Sequence, residues 1–414
     1  MTNNCNFVKN PIRFWRSIFV VLDFFDGIIL YGKLDWVQLM KMKAAIVFDQ
    51  GLPKPYSESA AVQVEQVDLT GPGNTEVLVR IVAAGVCHSD LSVVNGNRAR
   101  PIPIVLGHEG AGVIEEVGSL VEDLAVGDHV AFIFMPNCGN CLQCRSGKPS
   151  SCEHGNASNA AGTLLSGSRK LSFRGSPLNH YAGVSCFAEY VTVDHRSVVR
   201  LPKDIPMDIA AVFSCAVITG VGAVVNTAKV PLGASVGVVG LGGVGLSALL
   251  GAKAAGARQI IAIDPVKYKR DGAKQLGADL VFDADDPNII EKVKDATGGG
   301  LEYVFEAVGE VEAIELAYAI TGRGGTTTSS GLSHPSKKFA VSHVQLVSEE
   351  RTIKGSFLGS CVPKRDIPNF IKLFQEGKLP VDQLIKGEIE LEEINEAFDK
   401  LDNGETVRQI IRFL

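Results

Sequence analysis

Between Met42 and about Ala216, apolar residues come in short runs broken by Gly, Pro, Asn and Asp, as in Glu76 to Val82 and Ala111 to Val117. Brief runs separated by turn residues predict strands, so this stretch reads as a mainly β domain. A strand-like run, Lys43 to Phe48, opens it. After Val217 the pattern changes. Apolar runs of strand length alternate with segments of helix length: Ser235 to Val239, Val244 to Ala255, Gln259 to Ile263, Lys267 to Leu276, Leu280 to Phe282, Ile289 to Ala296, Tyr303 to Glu306 and Ala313 to Ile320, closing near Phe357. Such alternation predicts a parallel sheet with helices on its faces, an α/β doubly wound domain. The tail from Leu358 onward belongs to something other than that sheet. No long flexible linker appears near Ala216, so the two domains are expected to pack closely.

The chain has 414 residues, more than one ordinary domain of roughly 100 to 200 residues holds. Its net charge is only −6 and it has no basic block, which argues against nucleic acid as a partner. In residues 1–41, Lys9, Arg13 and Arg16 precede a short apolar run from Ile18 to Leu22 that Asp23 and Asp26 cut off. A membrane span needs about 20 apolar residues, and no small-residue cleavage pattern follows. Residues 1–41 therefore read as an N-terminal extension outside the fold, with neither a membrane anchor nor a secretory signal.

Nine cysteines raise the question of disulfides, but Cys138, Cys141, Cys144 and Cys152 crowd into fifteen residues at intervals of three, three and eight. That spacing favours a metal and a reducing, cytoplasmic setting. Four thiolates on one turn-rich loop can close a tetrahedral shell around zinc, leaving no open position, so the role is structural. A second set is spread out: Cys87, then His108 twenty-one residues later, then Cys215. Two cysteines and one histidine are among the ligand sets that leave zinc an exchangeable position. Asp90 reads either as the acceptor that orients the His108 imidazole or as a turn aspartate.

Gly240, Leu241, Gly242, Gly243, Val244 and Gly245 follow an apolar strand and open a helix. Strand, tight turn and helix N-terminus form the context a pyrophosphate needs. Asp264, nineteen residues after Gly245, ends the next strand, where a carboxylate can accept from ribose hydroxyls and repel a 2′-phosphate. This favours NAD over NADP, with Lys267, Lys269 and Arg270 nearby.

Taken together, residues 42–414 resemble the zinc-containing medium-chain alcohol dehydrogenase family. Both cysteine sets, the glycine turn, Asp264 and the ending Gly404-Glu-Thr-Val-Arg408 stand in the family's order. The resemblance implies a GroES-like catalytic domain at 42–216 and 358–414, and a Rossmann domain at 217–357. It also implies two zinc ions per chain, NAD, a small alcohol or aldehyde as substrate, and a homodimer or homotetramer. By the same resemblance Cys87, His108 and Cys215 hold the catalytic zinc, Glu109 can approach it during ligand exchange, and Ser89 accepts the substrate proton. His88, Lys269 and Arg408 fall where the family contacts the cofactor, and Phe134, Tyr181 and Ala182 on the substrate pocket. In many liver-type members the proton relay ends at a histidine three residues after the relay hydroxyl, where this chain has Ser92. Two alternatives stand beside this reading. One is a formaldehyde dehydrogenase acting on a glutathione or mycothiol adduct, against which the basic stretch Asn95 to Arg100 weighs. The other is a nucleotide-binding relative without chemistry.

Overall fold

The computed structural model describes residues 39–413. The reading of an N-terminal extension therefore lies, for residues 1–38, outside the described residues. Residues 39–41 do not belong with it, because the first strand runs Leu39–Val47 and starts three residues before the expected boundary at Met42. Lys41 and Lys43 are exposed while Met42 and Ala44 are buried, the period of two of a half-covered strand. Antiparallel pairing of Leu39, Met40 and Lys41 with Thr70, Leu69 and Asp68 carries the ladder back past the apolar run that the sequence displays.

Two sheets build the first half of the molecule. At the centre of one lies Glu76–Gly85, flanked by Gly110–Val117 and by the last strand of the chain, Ile410–Arg412. That return threads the C-terminal tail into the first half and puts Arg408 beside the loop that carries Cys87. The second half is a six-stranded parallel sheet. Its strands are Ser235–Val239, Gln259–Ile263, Leu280–Phe282, Leu301–Glu306, Thr321–Ser329 and Thr352–Gly355. In space the order is third, second, first, fourth, fifth, sixth. The direction of winding reverses between the first strand and the fourth, which opens a crevice at their carboxyl ends.

No loop joins the halves near Ala216. Met207–Ala228 is one helical run of 22 residues, apolar enough by length and composition to cross a membrane, yet 83% of its most apolar window is buried inside the protein. Its first turns pack on Glu76–Gly85 and Gly110–Val117, and its later turns on the helix Gly243–Ala254. A shared core results, running from Ala83 and Ala111 through Phe213 and Val217 to Leu249. Each large side chain buried there contributes on the order of 1.5–3 kcal/mol.

Glu76 is a buried exception at the start of the central strand. Its carboxylate meets Lys170 at 2.7 Å, the Gly73 N–H at 2.7 Å, and the hydroxyls of Ser166 and Ser168 at 2.7 and 2.8 Å. Burial alone would push its pKa up, but these donors outweigh burial and hold it below the ordinary carboxylate value. A carboxyl more acidic in the folded than in the unfolded chain stabilises above its unfolded pKa of about 4.3, and that stability is lost as pH falls through the folded value. Glu76→Gln is expected to cost roughly 2–4 kcal/mol at pH 7 and to weaken the loss of stability below about pH 4.3. Urea unfolding at neutral and acid pH checks this; equal losses at both would refute it.

Candidate active site

Cys87 stands in extended backbone immediately before the helix His88–Val94. His108 follows Gly107, whose φ of +93° suits glycine and whose missing Cβ would strike the backbone nitrogen of Phe187. Cys215 lies in a π-helical stretch, Phe213–Val217, of the run that joins the halves. These three side chains are almost wholly covered, at 8%, 2% and 5% exposure. Their ligand atoms nevertheless lie within 4.8 Å of one another. His108 Nε2 sits 3.3 Å from Cys215 Sγ, close to the edge of about 3.5 Å that tetrahedral zinc imposes between nitrogen and sulfur. On the other side of the ring, Nδ1–H donates to Asp90 Oδ1 at 3.1 Å, which turns the Nε2 lone pair toward the sulfurs. Asp90 is fully buried and also accepts from the Gly107 N–H at 3.1 Å, so the orienting role fits and the turn reading does not. Buried soft donors facing one another in this way suit a divalent zinc ion.

Glu109 adjoins His108 in the chain but is not among the converging donors. Its carboxylate pairs with the Arg408 guanidinium at 3.1 Å, and burial pushes its pKa up to about 7 against that cation's pull. In this structure Glu109 is engaged by Arg408, and its approach during ligand exchange would require that ion pair to open. Arg408 also donates to the Val86 carbonyl at 3.0 Å, and its far nitrogens fill the space where a Cβ on Gly243 would stand. It therefore lies between the cysteine site and the glycine turn, rather than on the open crevice.

The four-cysteine loop forms a second cluster, its ligand atoms also within 4.8 Å of one another. Cys138 and Cys144 sulfurs are 4.0 Å apart, and those of Cys141 and Cys152 3.9 Å. A disulfide needs about 2.05 Å, whereas the edge of a tetrahedron of thiolates on zinc is about 3.8 Å. Backbone N–H groups of Asn140 and Cys141 donate to Cys138 Sγ, and those of Cys138 and Gly155 to Cys152 Sγ, at 3.3–3.4 Å. Such donors hold the two sulfurs in place on the loop.

A cavity of about 310 Å³ opens in front of Cys87, His108 and Cys215. Ser89, Phe134, Tyr181 and Ala182 line it, and Val244 of the glycine turn closes its far side. Phe134 and Tyr181 set their ring edges against His108 at 5.6 and 5.5 Å between centroids. Burial pushes the Tyr181 phenol up, keeping it neutral, and it donates to the Ser89 carbonyl at 2.8 Å. Asp264 is buried at the carboxyl end of its strand, accepting from Leu241 N–H at 2.8 Å and Val266 N–H at 2.9 Å. His88 is exposed at the head of its helix, and Lys269 is half-buried near Gly404. Sequence reasoning missed Asn156 and Asn159 of the helix Glu153–Ala161, and Leu332 and Phe357 of the second half, all of which line the cavity. None sits in a motif. A larger cavity of about 480 Å³ near Gly298–Gly300 shares none of these residues, and Arg351 in its wall pairs with Glu349 at 2.7 Å.

Comparison with known proteins adds to this geometry. Residues 73–203 match the family described as alcohol dehydrogenase GroES-like domain, and residues 243–376 the one described as zinc-binding dehydrogenase. A Mycobacterium tuberculosis protein named "Putative alcohol dehydrogenase D" is 38% identical over 376 residues, which cover 90% of this chain and all of that protein. An S-(hydroxymethyl)glutathione dehydrogenase of Synechocystis is 35% identical over 90% of this chain and all of its own length. The crystal structure of benzyl alcohol dehydrogenase from Acinetobacter calcoaceticus superposes with a TM-score of 0.84 at 34% identity, covering 90% of this chain and 99% of that one.

Elemental analysis of the purified protein is expected to find two zinc ions per chain. Cys215→Ser should retain one, and Cys144→Ser should lose the other together with thermal stability. One ion or none in the unsubstituted protein would break the assignment of the two donor sets.

Proposed function

This chain belongs to the zinc-binding, medium-chain alcohol dehydrogenase family, and from that premise we propose that it interconverts a primary or secondary alcohol and its aldehyde or ketone with NAD, holding two zinc ions. The observation that carries this reading is the sharing of one cavity by Cys87, His108 and Cys215 on one side and Val244 of the glycine turn on the other. When bound, zinc supplies the Lewis acidity that brings ionisation at oxygen toward neutral pH, as for water from about 15.7 to about 7, and the nicotinamide supplies the hydride chemistry.

The chain's own residues do the rest. Cys87, His108 and Cys215 would hold the catalytic ion, and two thiolates with a neutral imidazole balance its charge. Cys138, Cys141, Cys144 and Cys152 would hold the other. Ser89, in the first turn of His88–Val94, takes the alcohol proton at its hydroxyl. Ser92 donates to the His88 carbonyl at 2.8 Å, so it passes a proton onward only by giving up that bond. Phe134 and Tyr181 keep water from the imidazole and leave an apolar slot for the substrate. The turn Gly240 to Gly245, with the N-terminus of Gly243–Ala254, receives the pyrophosphate. Lys269 and Arg408 supply the surrounding positive charge, Arg408 from its buried place beneath Gly243, while desolvation by its surroundings lowers the His88 pKa, so that its imidazole serves there as a neutral hydrogen-bonding group. Each Asp264 oxygen keeps a lone pair beyond its backbone bond for a ribose hydroxyl, and its charge opposes a 2′-phosphate. A cytoplasmic location is proposed on the eight described cysteines, all unbridged. Self-association as a dimer or tetramer is proposed on the sheet-edge strand Thr352–Gly355 and the exposed Phe339, Val344 and Val347 of the same half.

The Synechocystis relative favours a second reading, oxidation of a thiol adduct of formaldehyde; a glutathione-dependent rate with formaldehyde would support it. For the main reading, an alcohol panel with NAD and NADP is the direct test, and absence of turnover throughout would sink it. Ser89→Ala is expected to lower kcat by roughly 10²–10⁴-fold with zinc content unchanged; an equal kcat would remove Ser89 from the proton path. Asp264→Ala should raise KM for NAD more than for NADP, shifting the ratio by about tenfold, and an unchanged ratio would count against the ribose role.

A further inference from the structure

The substrate cavity carries charge that the reading above leaves unused. Arg98 and Arg100, both half-buried, line it. Among the described residues no carboxylate forms an ion pair with either guanidinium, and no Asp or Glu lines the cavity. Elsewhere the arginines near this site do find acids, as Arg408 finds Glu109. The main chain beneath the pair is fixed. Arg98 N–H donates to the Ser92 carbonyl at 2.7 Å, and Gln50 Nε2 donates to the carbonyls of Val93 and Arg98 at 2.7 and 3.2 Å. Both positive charges lie near enough to Tyr181 to oppose the rise that burial gives its phenol.

With two thiolates offsetting a divalent ion, these guanidiniums are the uncompensated charge of the cavity. A guanidinium fork matches a carboxylate in two parallel hydrogen bonds, and partial burial strengthens such a pair over one in open water. We infer that the substrate is an alcohol or aldehyde whose end remote from the reacting carbon carries a carboxylate, held by Arg98 and Arg100. This rests on the dehydrogenase reading and narrows it from alcohols in general to anionic ones.

The test compares kcat/KM for matched pairs, benzyl alcohol with 4-(hydroxymethyl)benzoate and 1-pentanol with 5-hydroxypentanoate. The unsubstituted enzyme should prefer the anionic member by about tenfold or more, through KM, and the preference should shrink as salt rises. Arg98→Gln and Arg100→Gln should each cut that preference several-fold, and together remove it. A formaldehyde arm with and without glutathione tells a simple hydroxy acid from a carboxylate-bearing thiol adduct; a gain with glutathione that both substitutions remove also supports the inference. Equal use of neutral and anionic alcohols, or variants that raise KM for NAD with both alike, overturns it while leaving the dehydrogenase reading intact. If no alcohol is oxidised at all, it is the dehydrogenase reading that fails. The arginine site then stands or falls on calorimetric binding of terephthalate, which should weaken about tenfold in the double variant.

Discussion

Two thiols and an imidazole buried within reach of one another, with carboxylates behind them, make a costly core unless a cation sits among them. Much of the catalytic half serves that convergence. The strand Glu76–Gly85 delivers Cys87, the left-handed turn at Gly107 swings His108 inward, and Asp90 holds the ring by its outer nitrogen. The four-cysteine loop meets the same requirement without help from distant chain. Its sulfurs come from fifteen consecutive residues.

Arg408 joins the two ligand beds. It is fully enclosed, reaching Glu109 and the Val86 carbonyl on the metal side and Gly243 on the nucleotide side. A cation so placed contributes to the field of both without lining either, and it arrives only because the last strand doubles back onto Ala83–Gly85. The crevice between first and fourth parallel strands then meets the cavity in front of the cysteines, which brings hydride donor and acceptor chemistry to one place.

Much of this was legible in the chain. The runs Ser235 to Val239, Gln259 to Ile263, Lys267 to Leu276 and Leu280 to Phe282 are elements with those same ends, because apolar period and glycine punctuation agree there. The last two parallel strands escaped notice. Thr321–Ser329 is built of Thr and Gly, whose strand preference comes without an apolar rhythm. Met207–Ala228 escaped for the opposite reason, since a helix buried on every face shows no stripe. At the site, short motifs exposed the cysteines and histidine that converge and the glycine turn. Arg98 and Arg100 were visible as a basic stretch, but their position in the cavity wall depends on how Gln50 ties down the loop.

The continuous helix between the halves has a mechanical consequence. Cys215 rides on the spoke that couples one lobe to the other, at a point where the winding is locally loosened. A change in the angle between the halves would therefore carry Cys215 relative to Cys87 and His108, so that cleft opening and the spacing of the three donors would be coupled through one helix.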